Sequence, residues 1–208
     1  GTQTLDVAAA NDAKDVVDLF NAVTKDTGVS AKAVTHARFG NVSSDTSISI
    51  KIGQQGNPSS LTTVTATVTT TDLTNLRDSF NAYTANTGIR ATLSADSTNI
   101  ILVQDEGEDI VIEELNFANV SNANTKFQMT AMSPDQETST TTVRDVLDAS
   151  QANDSIRYSG IVTFHSSQTF TVKPSISRVS KTPADWTNIF LPKSFLKIPS
   201  AIGDLTEL

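Results

Sequence analysis

The sequence predicts an α+β fold: two strand–helix–β-hairpin repeats and then a β-rich portion, with the helices packed on antiparallel sheets. Three observations predict it. Residues 11–31 return without a gap at 71–91, with Phe-Asn-Ala, Thr-Gly and a closing Ala matched by identity. Apolar residues recur at helical spacing inside each copy. Runs of period-two alternation flank the copies, as half-buried strands require.

In the first copy, Leu5 and Val7 predict a lead strand. Val16, Leu19, Phe20 and Val23 form a helical stripe, and Gly28 stands where a left-handed residue ends a helix. Val29, Ala31 and Ala33 open the next strand. Ile48, Ile50 and Ile52 alternate after a polar turn at 41–45, and Gly53 to Ser60 joins the two copies as a loop.

The second copy runs in parallel. Val64, Ala66 and Val68 alternate against Thr65, Thr67 and Thr69. Thr71 or Asp72 is the candidate helix cap. Leu73, Leu76, Phe80 and Tyr83 make one apolar stripe, and Gly88 ends the helix. Ile89, Ala91 and Leu93 alternate, as do residues 100–103. Residues 105–108 are a turn, and Ile110 to Ile112 start the return strand. One helix with a few strands cannot bury both faces of its sheet, so the copies are expected to pack together or against a neighbour.

Beyond about residue 116 the pattern changes. Phe127, Met129 and Ala131 read as a strand. Ser133 to Thr141 reads as a loop, and Val143, Val146 and Leu147 as a short helix. Residues 156–164 and 169–172 read as a hairpin turning at His165 to Gln168. Pro174, Pro183, Pro192 and Pro199 forbid long regular elements in the tail, where Trp186, Phe190, Phe195 and Leu196 would pin the chain to the body. The expected division is 1–56, 57–116 and 117–208, as one composite domain or two.

Composition bounds the function. The 208 residues are 38% hydrophobic and only 18% charged. Roughly a third are Ser, Thr and Asn, which favour strands and turns and tolerate a wetted surface. A net charge of −8 argues against nucleic acid and anionic membranes as partners. The absence of Cys excludes disulfides and thiolate metal sites. No apolar run reaches membrane-span length, and no signal peptide opens the sequence. Both ends read as interior sequence, and an excised fragment is the expectation.

The helix carrying Phe20-Asn21 with Thr27-Gly28-Val29-Ser30-Ala31, and its second copy Phe80-Asn81 with Thr87-Gly88-Ile89-Arg90-Ala91, resembles the IN motif of bacterial flagellins and of flagellar hook-associated and cap proteins. Phe stands where that motif usually has Ile. Residues 108–114 resemble a hairpin of flagellin outer domains, and 159–164 with 168–172 a strand pair near the end of such domains. The resemblance covers residues 11–115 well and the remainder thinly. It implies a structural protein, the extracellular variable region of a flagellar filament subunit without the terminal polymerisation helices. Its partners would be neighbouring flagellin subunits, and the isolated piece would be monomeric. Contacts between neighbouring outer domains would stiffen the filament or sheath it. A filament cap or hook-associated protein is the alternative, and an extracellular glycan- or host-binding module anchored by Trp186 and Tyr158 a second one.

Catalytic, cofactor and metal residues are all expected to be none. His36 and His165 lack partners at metal-ligand spacing, and no His-Glu-x-x-His or Gly-x-Ser-x-Gly occurs. Asp105, Glu106, Glu108 and Asp109 are the one candidate for weak Ca²⁺ binding, because hard cations take several carboxylates; a solvated hairpin tip is the plainer reading. Asn21 and Asn81, mid-helix beside a core Phe, are expected to bond neighbouring loop or strand backbone. Asn41-Val-Ser43, Asn119-Val-Ser121 and Asn153-Asp-Ser155 match the N-glycosylation pattern, in a chain where chance matches are expected.

Overall fold

A computed structural model describes residues 1–55, 60–118, 126–132, 145–148 and 154–173. It is α+β, with two antiparallel sheets and four short helices among the described residues. The strands are β1 (Ser30–Gly40), β2 (Thr46–Gln54), β3 (Thr62–Val68), β4 (Ile89–Leu93), β5 (Asn99–Gln104), β6 (Ile110–Phe117), β7 (Lys126–Ala131), β8 (Asp145–Asp148), β9 (Ile156–Tyr158) and β10 (Ile161–His165). One sheet has the order β4-β5-β1-β7-β8, with β10 also paired to β1; the other has the order β3-β2-β6-β9.

The helices are α1 (Ala13–Ala22), α2 (Thr24–Thr27), α3 (Thr74–Ala82) and α4 (Thr84–Thr87). Asp12 caps α1 in a reciprocal box: its carboxylate accepts from the Asp15 N–H, and that of Asp15 accepts from the Asp12 N–H. On α3 the expected cap is displaced by one residue. Leu73 is the N-cap without a side-chain bond, and the Asp72 carboxylate accepts from the Thr74 N–H at 2.8 Å. Each stripe breaks into two helices, at Val23 and at Tyr83. There the backbone N–H reaches the carbonyl three residues back as well as its neighbour, tightening the turn.

Both pairs of helices end alike. Gly28 and Gly88 have φ of 70° and 67°, the left-handed conformation that spares only glycine a steric cost. Thr24 and Thr84 hydroxyls donate to the carbonyls of Val29 and Ile89 at 2.8 and 2.9 Å. Thr27 and Thr87 hydroxyls donate back to Val23 and Tyr83 and accept from the N–H groups of Val29 and Ile89.

Two apolar clusters result. The larger lies between the sheets, where Phe39 stacks on Phe127 at 4.6 Å, Phe127 on Phe117 at 5.6 Å, and Phe80 meets Phe39 edge-on at 6.1 Å. The smaller lies under α1, where Ala13, Val29, Ala31, Val162 and Phe164 are buried and Phe20 packs on Phe164 at 4.5 Å. Phe80 is therefore fully buried in the main core and Phe20 only half-buried in the lesser one.

Several expectations are corrected. Leu5 and Val7 form no strand, and Val7 is 52% exposed; two apolar positions bury too little to hold a ladder. Tyr83 is 43% exposed and outside the core, because the break after Ala82 turns it off the stripe. β1 and β2 are no hairpin: they lie in different sheets. β6 likewise crosses to the second sheet, where it pairs with β2 instead of returning on β5. Asp145–Asp148 is a strand rather than a helix, since pairing with β7 satisfies its backbone. Residues 156–164 and 169–172 make no hairpin; β9 joins β6, β10 joins β1, and Phe170 and Val172 pack on the small cluster. The loop 133–141, Val143 and the Pro- and aromatic-bearing tail lie outside the described residues.

Candidate functional site

The sharpest local chemistry that the repeated segment builds is a clamp. Asn21 Nδ2 donates to the Ala31 carbonyl at 3.0 Å, and Asn21 Oδ1 accepts from the Ala31 N–H at 2.8 Å. Asn81 does the same to Ala91, at 2.9 and 2.8 Å. A planar primary amide presents a donor and an acceptor side by side, the pattern a neighbouring strand would offer. Each Asn thus occupies a strand's free hydrogen-bonding positions.

Around Asn81 the sealing extends to both sheets. β4 is the end strand of one sheet and β3 of the other. Ser79 Oγ donates to the Thr65 carbonyl at 3.2 Å, and Asn75 Nδ2 reaches the Thr67 carbonyl at 3.5 Å. Asn86 on α4 donates to the Ser60 carbonyl and the Thr62 hydroxyl. α3–α4 therefore closes the seam between two strand edges that would otherwise offer unpaired backbone to another chain.

A second polar feature lies at the turn from β5 to β6. Gln104 Oε1 accepts from the N–H groups of Glu106 and Glu108, both at 2.9 Å, and so shapes the turn from β5 to β6. The buried Thr35 hydroxyl donates to the Glu108 carbonyl at 2.7 Å. A side chain on Gly160 would lie 2.6 Å from the Thr35 hydroxyl, 2.8 Å from the Gly107 carbonyl and 2.9 Å from the Ala13 Cβ, so the backbone passes where only glycine fits. Burial, and then a hydrogen bond to Asp12, push the Glu108 carboxyl up to about 7. Asp109, its side chain 5% exposed, is raised chiefly by burial; Ser159, Arg157 and the Gly160 backbone oppose the shift. Arg157 Nε stands 3.4 Å from Asp109 Oδ2, while Asp109 Oδ1 has no hydrogen-bond partner among the described residues.

The four candidate Ca²⁺ ligands diverge. Asp105 pairs with Arg90 at 3.3 Å in the open, Glu106 is exposed, Glu108 turns to α1, and Asp109 turns to Arg157. Among the described residues no three His, Asp or Glu side chains come close enough to hold a metal ion. His36 is buried in β1 with Nδ1 unpartnered, and burial lowers its basicity. His165 ends β10 rather than sitting in a turn. Tyr158 is buried and cannot serve as an exposed aromatic anchor; Trp186 lies outside the described residues. Asn41 is exposed in the β1–β2 connection with its Nδ2 on Gln128 Oε1 at 3.0 Å; Asn119 and Asn153 lie outside the described residues.

Among the described residues, two shallow surface grooves stand out. One, of about 380 Å³, lies between Arg38, Asp96 and Met132, and the other, of about 350 Å³, between Asp6, Asp15 and Leu19. Neither is lined by Glu108, Asp109 or His36. No helix among the described residues is long and apolar enough to cross a membrane.

The Asn positions were legible from their place beside a core Phe. The effect of Asp12 on the Glu108 carboxyl was not, because no local pattern relates a helix cap to a turn so far along the chain. Gln104 was equally hidden, since a Gln ending an apolar strand carries no signal of its own. No protein-family model matches the chain, and no curated protein matches it.

Proposed function

We propose that the chain is a structural, surface-exposed unit of a flagellar filament subunit, built on two copies of one strand–helix–hairpin element and working as a rigid, hydrated spacer outside the cell. The observation that carries this reading is the twice-made assembly of Asn clamp, Thr hydroxyl bonds and left-handed Gly, with the same atoms bonded in each copy. The first copy departs from the element in lacking the lead strand and in sending its two strands to different sheets.

The surface supports the same reading. The outer face of β2 and β3 sets Ser47 opposite Thr67, with Thr63 and Thr65 alongside, all exposed. Such hydroxyls hydrate well and, with a net charge of −8, disfavour self-association. The sealed strand edges serve the same end, because crowded neighbours in a filament would otherwise pair through them. Neighbouring copies of the subunit are the partners this role implies.

Immunogold labelling with antibodies raised against this chain tests the proposal on cells of the source organism and on filaments sheared from them. Gold along the filament shaft is the expected result. Gold confined to filament tips would replace the shaft subunit by a cap protein. Gold on the cell body with bare filaments would overturn the assignment.

A further inference from the structure

We propose that the sheet face around Arg38 is a docking surface for a second copy of this chain, which lays the acidic face of its α1, with Leu19, against it. The contact rests on the role proposed above for the crowding that brings copies together.

Residues directly opposite each other in an antiparallel pair share a face. Arg38 stands opposite Ile101 and Ile101 opposite Thr92; His36 stands opposite Val103 and Val103 opposite Arg90. The alternate β1 residues face the other way, Ala37 and Phe39 into the main core and Ala31 into the cluster under α1. α1 therefore lies on one side of β1 and Arg38 on the other.

Arg38 differs from its fellow arginines. Arg77, Arg90 and Arg157 each face a carboxylate. Arg38 is half-buried beside Ile101 and Met132, in the groove of about 380 Å³, and faces no carboxylate among the described residues. Asp96, at the same groove, is held by the Ser94 hydroxyl at 2.6 Å and the Thr98 N–H at 3.2 Å. Lys32 is exposed on the same face of β1 and is also without an acidic partner among the described residues. A guanidinium resting on apolar side chains, with its fork of donors unused, is well suited to a carboxylate.

α1 offers the matching surface. Asp15, Asp18, Leu19 and Ala22 on α1, with Asp6 and Asn11 before it, line the groove of about 350 Å³. Asp15 is committed to the helix cap, while Asp18 shares Lys14 and keeps its side chain 65% exposed. Leu19 is the half-buried apolar residue among these acids, as Ile101 and Met132 are beside Arg38. A helix laid on a sheet face buries both apolar surfaces. The two surfaces lie on opposite sides of β1, so the contact is heterologous and joins copies in rows instead of closed pairs. The net charge of −8 repels copies in other orientations and keeps the contact weak in dilute solution.

Sedimentation of the whole chain at rising concentration tests the proposal. Wild type is expected to associate at low ionic strength, and roughly ten-fold more weakly in about 0.5 M salt, because the pairing is partly exposed. Arg38→Glu alone, and Asp6→Lys with Asp18→Lys in one chain, should each stay monomeric, because like charges then meet. A mixture of the two should associate again, since the acidic helix of the first meets the intact Arg38 of the second. A concentration series by NMR needs no variant: amide signals around Arg38 and Ile101 should move together with those around Asp18 and Leu19. Wild type that stays monomeric, association that survives in Arg38→Glu, or a mixture that does not associate would overturn the proposal. Arg38 signals that move with a polyglutamate peptide in a chain that never self-associates would replace the second copy by a foreign acidic partner. Failure in solution leaves the immunogold result untouched, and bare filaments leave the contact in solution standing, so the two readings fail separately.

Discussion

Replacing Asn81 by Ala tests the clamp directly. The change removes two hydrogen bonds, of 2.9 and 2.8 Å, to the backbone of Ala91, a residue only 2% exposed. Water cannot reach that backbone freely while α3 covers it, so both groups lose a partner without replacement. At about 1–1.5 kcal/mol for each bond the loss is about 2–3 kcal/mol. The better helix propensity of Ala returns about 0.5 kcal/mol. A net destabilisation of about 2 kcal/mol is expected, equivalent to a fall of about 4–8 °C in Tm for a chain of this size. Asn81→Asp should be no milder, because its second oxygen would oppose the Ala91 carbonyl instead of donating to it. Urea unfolding followed by circular dichroism gives the value, with an unchanged m-value showing that only stability moved. A loss below about 0.5 kcal/mol, the range of ordinary surface substitutions, would refute the clamp as a structural element.

Four further outcomes follow from the same geometry. Phe80→Ala should cost about 3–4 kcal/mol and Phe20→Ala much less, since the first ring is fully buried and the second half-buried; equal losses in urea titrations would refute unlike settings. Gly28→Ala should cost about 1 kcal/mol for its backbone alone, because nothing lies near the added carbon, and Gly88→Ala about the same, because the carbon would meet only the far end of the flexible Gln54 side chain, which can turn aside; a several-fold difference between the two in urea unfolding would refute this. Glu108→Gln should raise Tm at pH 8 and leave it little changed at pH 5, because a raised carboxyl contributes its stability at low pH and loses it as pH rises through about 7. His36 carries the opposite sign: burial lowers its basicity, so stability is lost as pH falls below the ordinary imidazole range, and calorimetry should find a flatter acid limb in His36→Asn.

Short-range features were readable in the sequence. Gly28 and Gly88 end helices in the left-handed conformation that glycine adopts without a steric cost. Asn21 and Asn81 reach a strand ten residues on, within one local unit. The alternation of Val64, Ala66 and Val68 placed one face of β3 inside, and the structure keeps Val64 and Val68 fully buried. Where the sequence misled, the error lay in choosing partners. Ile110 to Ile112 is a strand by any local measure, yet nothing in its composition says whether it returns on β5 or crosses to β2. Val146 and Leu147 fit helical spacing, but an available edge on β7 outweighs a short apolar run.

The sequence by itself determined the α+β character, the places where helices end, the burial of Phe80 and the amide positions that meet strand backbone. Each depends on side-chain chemistry acting within about ten residues. Tertiary structure alone decided which strands share a sheet, that α3 closes two edges at once, and that Phe20 and Phe80 occupy unequal cores. Those outcomes are settled by competition among many equally apolar strands for a limited number of edges, and such competition leaves no mark on any single segment.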